Sequence, residues 1–297
     1  MTSTLGLGID AGGSQTRWAL ADQRGEIVAE GAVRGFGALQ VGQGNHVRDV
    51  MAEMAAAVHT IGTPLRVHAG VTGYVGTNPE PLRAVIAAPF DLAPSAVSLA
   101  SDMEIAYLSL FKPGAGYMVY AGTGSVAAFV DAEGVLHRAG GRGVIVDDGG
   151  SGFWIARQAM RHVWRTEDEA PESWRSSPLA ISLFDAIGGS EWANSRAYIY
   201  EGDRGAVGRL ALAVARVADE DAVAREILAE AGRELARLAL AMTKRYGIRP
   251  VALAGRAAEL HPLIFETMRA TVPDGIVVEQ RGSHSHRAAA LITFSRK

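Results

Sequence analysis

The chain has no cysteine, only three lysines, no large surplus of either charge and no long apolar run. Without cysteine there can be no disulfide, no thiolate nucleophile, no Cys-ligated zinc and no iron–sulfur cluster held by this chain. With lysine confined to Lys112, Lys244 and Lys297 against 26 arginines, no lysine stands out as a phosphate clamp. A net charge of −3 with both signs mixed argues against a nucleic-acid groove or an acidic membrane surface as partner. No apolar stretch approaches the ~18 residues of a membrane span. Met1-Thr-Ser-Thr lacks a basic leader, and Gly6, Gly8 and Asp10 interrupt the apolar start. The expectation is a soluble cytoplasmic protein, and 297 residues leave room for two domains with ample cores.

What the chain has is glycine, placed where strands turn. Tyr117–Val130 reads as an apolar strand, a Gly122-Thr123-Gly124-Ser125 tip and a second apolar strand, the pattern of a β-hairpin. Glycines at 122 and 124 are free to take positive φ and let backbone N–H groups converge, while Thr123 and Ser125 add hydroxyl donors. Such a tip suits an anion of phosphate size, although an ordinary hairpin would look the same. Leu5–Ala21 repeats the idea: a strand ending at Asp10, a Gly12-Gly13-Ser14-Gln15-Thr16 turn with two hydroxyls, and a returning strand. Two glycine–hydroxyl hairpins, each opening one half of the chain, are what gripping a nucleotide phosphate tail from both sides requires. A carboxylate beside them could hold Mg²⁺ through water.

In order, residues 5–33 read as a three-stranded meander. Gly6-x-Gly8-x-x-Ala11 superficially matches a dinucleotide fingerprint, but that loop must open into a helix and here it leads to a strand. Helical periodicity spans 45–61, a buried strand 65–71 ends in Thr72-Gly73, and a helix over 80–88 precedes a strand at 97–100. Ser101 or Asp102 caps a helix running to Phe111, and residues 112–116 read as a crossing between domains. A Gly-rich loop, Ala139 to Gly150, carries Asp147 and Asp148 to a helix beginning near Ser151; solvation or N-capping would also explain either acid. Residues 166–192 read as short helices, and 205–220 and 222–246 as core helices. Strands near 251 and at 277–280 and a last helix over 285–294 complete the chain. His284-x-His286 has no third ligand beside it and reads as solvated or capping histidines.

Taken together, Asp10-x-Gly-Gly-Ser14, Asp102, Gly122-Thr-Gly-Ser125, Gly140-Gly-x-Gly…Asp148-x-Gly-Ser151 and Ala254-Gly255 resemble the N-acetylglucosamine kinase and BadF/BadG/BcrA/BcrD ATPase group. That group belongs to the actin/hexokinase/Hsp70 ATPase superfamily, and the resemblance runs from residue 6 to about 290. It implies an α/β fold of two ribonuclease-H-like, actin-like ATPase domains with an ATP cleft between them. The first would be residues 1–112 joined by a C-terminal helix, 286–297, and the second residues 113–285 with helical insertions. It further implies that Gly12, Gly13, Ser14, Gln15 and Thr16 form the first phosphate loop and Gly122, Thr123, Gly124 and Ser125 the second. Gly255 and Arg256 belong to the adenosine motif, and Asp10 holds Mg²⁺ through water. Asp102 matches the catalytic base, against the bland reading of an N-cap. Thr72, Gly73, Asp102, Gly141, Arg142 and Asp148 fall on the sugar side.

The departures from the family pattern cluster there. Arg142 stands where such kinases have Trp, Asp147 where they have Gly, and Gly149 where they have Glu; Ala38 or Leu39 stands where an Asn is expected. Gln15 replaces a Lys after Ser14, and Arg256 the second Gly of the adenosine motif. Arg142 could pair with Asp147 or meet an acidic substrate. The expected function is ATP-dependent phosphorylation of a sugar or amino-sugar hydroxyl, with ATP and Mg²⁺ as cofactors. The alternative is a nucleotide-binding ATPase or sensor without kinase turnover. Activator ATPases of acyl-CoA dehydratases need cluster-binding cysteines, which are absent. Domain closure about residues 112–116 is expected, to shield the phosphoryl donor from water. A homodimer is the default assembly because dimers are commonest.

Overall fold

The computed structural model describes residues 4–13 and 15–295; Ser14, one of the expected phosphate-loop residues, lies outside them. The chain divides into two compact units. One comprises the described residues up to Lys112 together with those from Ser283 onward, and the other is Pro113–Gly282.

In the first unit, β1 (Leu5–Ala11), β2 (Gln15–Asp22) and β3 (Ile27–Arg34) form the antiparallel meander, with β4 (Pro64–Val71) and β5 (Val97–Ser101) added in parallel on the other side of β1. Thr16, expected in the turn, belongs to β2 and pairs with Ala11, because the turn closes one residue earlier through a 3.1 Å bond from the Gly12 amide to the Gln15 carbonyl. The helix α1 (His46–His59) buries Val47, Val50, Met51, Met54 and Val58, a 3–4 spacing that gives one apolar face. With α2 (Glu80–Ala87) it contributes to the core around Leu7 and Ile9. The helix α3 (Asp102–Leu108) stops short of the expected Phe111: Leu110 and Phe111 both turn their amides to the Tyr107 carbonyl, and Pro113 disfavours helix in the residue before it.

The second unit repeats the plan. β6 (Tyr117–Ala121), β7 (Ser125–Val130) and β8 (Leu136–Gly140) are antiparallel, and β9 (Val251–Ala254) and β10 (Val278–Gln280) run parallel to β6. β8 falls partly in what reads as a loop. The helix α4 (Gly152–Glu169) is capped by Ser151, whose hydroxyl accepts from the Trp154 amide at 3.2 Å. After α5 (Pro178–Ile187) and α6 (Trp192–Glu201), the expected single helix over 205–220 is two short ones, α7 (Arg204–Arg209) and α8 (Ala211–Arg216). Gly205 and Gly208 weaken the first, and Gly208 packs near Phe153 at the start of α4. Asp221 then caps α9 (Ala222–Tyr246), accepting from the amides of Val223 and Ala224, and α10 (Pro262–Thr271) follows β9.

The last helix, α11 (Ser285–Ser295), belongs to the first unit and lies on β1, β2 and β4. It explains Gly6 and Gly8. A Cβ on Gly6 would fall 1.8 Å from Thr293 Oγ1, and one on Gly8 would fall 2.1 Å from the Ala290 nitrogen. The glycines are there so that a helix can rest on the backbone of β1, not to approach a dinucleotide. His286, expected to be solvated or capping, is buried at the start of α11, with Nε2 3.2 Å from Glu30 on β3. Arg287 clasps the same carboxylate with two 2.6 Å bonds. Among the described residues no three metal-ligating side chains converge, and no helix is long and apolar enough to cross a membrane.

Candidate active site

In the first unit, parallel β1, β4 and β5 end in register at Ala11, Val71 and Ser101, so the residues following them share one sheet edge. The carboxyl end of parallel strands is where α/β folds bind ligands. Asp10 lies half-buried there, with Gly12 and Gly13 just beyond it. Thr72 is tied on both sides: its amide donates to the Ala11 carbonyl and its carbonyl accepts from Ala38, each at 2.9 Å. Gly73 follows with φ +76°, a left-handed turn that suits glycine. Gln15 is exposed, and its Oε1 accepts from Arg17 Nε at 3.3 Å. Thr16 is sealed in the sheet, its hydroxyl without a partner among the described residues.

Asp102 is the first residue of α3, but it is not the cap. Ser101 takes that role, accepting from the Glu104 amide at 3.2 Å, while Asp102 Oδ1 accepts from its neighbour Met103, at 2.8 Å. Its charge is felt at Asp10, whose carboxyl is pushed up to about 6. Burial is the larger cause and Asp102 the second, partly offset by Arg17 and by a hydrogen bond from Ser285 on α11. Two carboxylates at a strand end, their repulsion only partly offset by Arg17, form an oxygen donor set that suits a hard divalent cation. Mg²⁺ characteristically binds one or two carboxylates and completes its shell with water and phosphate oxygens.

The second unit builds a different edge. β6 and β9 run side by side and end at Ala121 and Ala254, so the Gly122–Ser125 tip and Gly255 are neighbours. Gly255 has φ +99°, and a Cβ there would stand 2.3 Å from the Ala121 carbonyl oxygen, which already accepts from the Ala257 amide at 2.9 Å. Arg256 is exposed beside it. The tip is braced by the start of α4: the amides of Gly152 and Phe153 donate to the carbonyls of Gly122 and Thr123, at 2.8 and 3.3 Å. Contrary to expectation, neither Gly122 nor Gly124 has positive φ. Glycine is needed at 124 for space, since a Cβ there would sit 2.5 Å from Asp148 Oδ2. Nor is Ser125 a free donor, because its hydroxyl is spent on the Gly149 carbonyl at 2.7 Å. The amides of Thr123 and Gly124, with the Thr123 hydroxyl, are left without partners among the described residues, a small nest for an anion.

Asp148 is 6% exposed and sits at φ +59°, so it is neither solvated nor the cap of α4. Its Oδ1 accepts from the Gly143 amide at 3.1 Å. Burial raises its pKa first; the Gly143 amide opposes this, Asp147 adds to it, and Arg204 and the Arg142 amide oppose it. Gly141, at φ +65°, donates to the Ser125 carbonyl at 2.9 Å and places Arg142 in this turn with its side chain exposed. Of the two partners left open for Arg142, Asp147 is not taken. Arg237 on α9 takes Asp147 at 3.1 Å and Glu234 at 2.9 Å instead. Ser285, Arg204, Glu234 and Arg237 were not visible as site residues in the sequence, since each comes from a distant segment with no motif around it.

A mixed five-stranded sheet of one strand plan occurring twice defines the two-domain actin-like fold. The solved structure of a candidate N-acetylglucosamine kinase from Chromobacterium violaceum matches with a TM-score of 0.72 at 23% identity, covering 98% of this chain and 99% of that one. One from Porphyromonas gingivalis gives 0.72 at 16% identity, covering 98% of each chain. A ROK family glucokinase from Streptomyces griseus, solved with glucose and AMPPNP, gives 0.62 at 15%, again covering 98% of each. No curated protein matches in a sequence search. The profile of the BadF/BadG/BcrA/BcrD ATPase family matches residues 7–278, and the chain belongs to that family.

Proposed function

We propose that this protein is a kinase that transfers the γ-phosphoryl group of ATP to a hydroxyl of a sugar or amino sugar. The observation that carries the reading is Asp102. It stands at a strand end with its capping duty taken over by Ser101, and its charge reaches Asp10. A carboxylate so placed accepts the proton of the attacking hydroxyl, a contribution of about 10²–10⁴ in rate. The hydroxyl oxygen bonds to the γ-phosphorus, the bond from that phosphorus to the β–γ bridging oxygen breaks, and ADP leaves. The amides of Thr123 and Gly124 bind phosphate oxygens, as does the turn at Gly12–Gly13, and Gly255 leaves room for the adenosine. Asp148, held by Gly143, accepts hydrogen bonds from sugar hydroxyls. Asp10 holds Mg²⁺, which when bound neutralises charge developing on the phosphates.

The test is ADP release by the purified protein with ATP and Mg²⁺ against hexoses, amino sugars and their N-acylated and charged derivatives. The expected result is release that depends on an acceptor. Release independent of any acceptor would identify an ATPase, and none under any condition would leave a nucleotide sensor.

A further inference from the structure

We infer that Arg157 is a positioning residue for Asp148: it fastens the loop that carries this acid to the helix that braces the Gly122–Ser125 tip. The role in turnover rests on the kinase reading above, because Arg157 acts through the carboxylate assigned there to the sugar hydroxyls.

The loop between β8 and α4 has little of its own to keep its shape. Gly141, Gly143 and Asp148 take φ of +65°, +89° and +59°, and for Asp148 that region is unfavourable. The two ends of the loop are tied to β7. The Gly141 amide donates to the Ser125 carbonyl at 2.9 Å, and the Ser125 hydroxyl donates to the Gly149 carbonyl at 2.7 Å. Between these ends the chain turns on the Gly143 carbonyl, which accepts from the amides of Val146 and Asp147 at 3.0 and 2.9 Å. Ile145 and Val146 are 93% and 75% exposed, so they add little packing there.

Arg157 supplies a fastening for the middle. It lies in the second turn of α4, and its Nη1 donates to the Val144 carbonyl at 3.0 Å. The guanidinium forms no ion pair among the described residues, so an exposed cation is committed to a backbone oxygen. A bond from a charged donor is stronger than one between neutral groups. Val144 adjoins Gly143, whose amide holds Asp148 Oδ1 at 3.1 Å. The other oxygen of Asp148 lies 2.5 Å from where a Cβ on Gly124 would stand. The contacts therefore close a ring: α4 holds the carbonyls of Gly122 and Thr123, Arg157 holds Val144, Gly143 holds Asp148, and Asp148 rests on Gly124. Cutting the Arg157 link frees Gly143, and Asp148 with it, while the bonds from α4 to the tip stay made. A shift of about 1 Å in a binding group costs on the order of 10²-fold in rate.

Hydrogen exchange on the full chain, without ligands, reads the link directly. In Arg157→Leu the amides of Gly143, Val146 and Asp147 should exchange about tenfold faster, while those of β6 and β7 keep their rates. Arg157→Lys, which can still donate, should recover part of the protection, and Arg161→Leu, one turn further along α4, should change nothing. In turnover with the sugar that supports ADP release, Arg157→Leu should raise the acceptor KM about tenfold and leave the KM for ATP within about twofold. Arg157→Lys should again lie between. Unchanged exchange in the loop overturns the inference, as does faster exchange that spreads through β6 and β7. So does a KM rise shared equally by ATP, or an acceptor KM that does not move although the loop is loosened; either would leave the kinase reading intact. A loosened loop in Arg157→Leu, with no ADP release from any sugar even in the unaltered protein, would keep Arg157 as the fastener of Asp148 and sink the kinase reading.

Discussion

The two units share a strand order but end their parallel strands in opposite chemistries. In the first, β1 and β5 deliver Asp10 and Asp102 to one edge, where burial first and the Asp102 charge second push the Asp10 pKa up to about 6. In the second, β6 and β9 deliver small residues, and what faces the same edge is backbone: amides at Thr123 and Gly124 and the tight turn at Gly255. One scaffold thus gives a cation-seeking edge or an anion-seeking edge, depending only on whether the residues after the strands carry carboxylates or lack side chains.

Breaking the acidic edge should have the largest effect. Asp102→Asn should lower kcat by about 10²–10⁴ while leaving ATP affinity intact, measured by steady-state turnover beside nucleotide titration; retained turnover would move the base elsewhere. On the glycine edge, Gly255→Ala should cost about 3 kcal/mol in chemical denaturation, because its Cβ must fit at φ +99° against the Ala121 carbonyl. Asp10→Asn should do the opposite in EDTA. Neutralising a half-buried acid that feels the Asp102 charge should stabilise the metal-free protein by about 1 kcal/mol, while the stabilisation produced by added Mg²⁺ disappears.

The smallest effect concerns the clasp on α11. Glu30 is held down to about 2 from its ordinary 4.5, by the hydrogen bond from Arg287 above all and also by His286. The unfolded chain therefore takes up the Glu30 proton first as pH falls, and stability present above about 4.5 should drain away toward about 2. Burial holds the His286 pKa down, so its protonation below its ordinary range acts in the same direction. Glu30→Gln should flatten this acid limb in a series of thermal melts.

Much of this was legible in the chain. The two hairpins announce themselves through apolar runs flanking glycine and hydroxyl residues, whereas Asp102 stands out only through the family resemblance, since its place before a helix reads equally as an N-cap. What escaped depends on contacts between distant segments. β8 was hidden because its strand pattern runs into Gly140 and Gly141, of which the first pairs with Val126 and the second donates to the Ser125 carbonyl. The break at Leu210 follows from Gly208 packing near the start of α4, which no local period reveals. Asp147 is one of two partners the sequence leaves open for Arg142, yet a residue 90 positions later on α9 claims the acid. The glycine at 124 was predictable, but its reason, the Asp148 carboxylate against its Cα, was not.

The seating of α11 on bare β1 backbone also orders events at the ribosome. Gly6 and Gly8 emerge early, yet the helix that covers them is translated only after the whole of the second unit. Until then the first sheet has one face uncovered, and Asp10 lacks the Ser285 hydroxyl. The second unit, continuous in sequence, can finish folding first, so the nascent protein should mature from its middle outward rather than from its N-terminus.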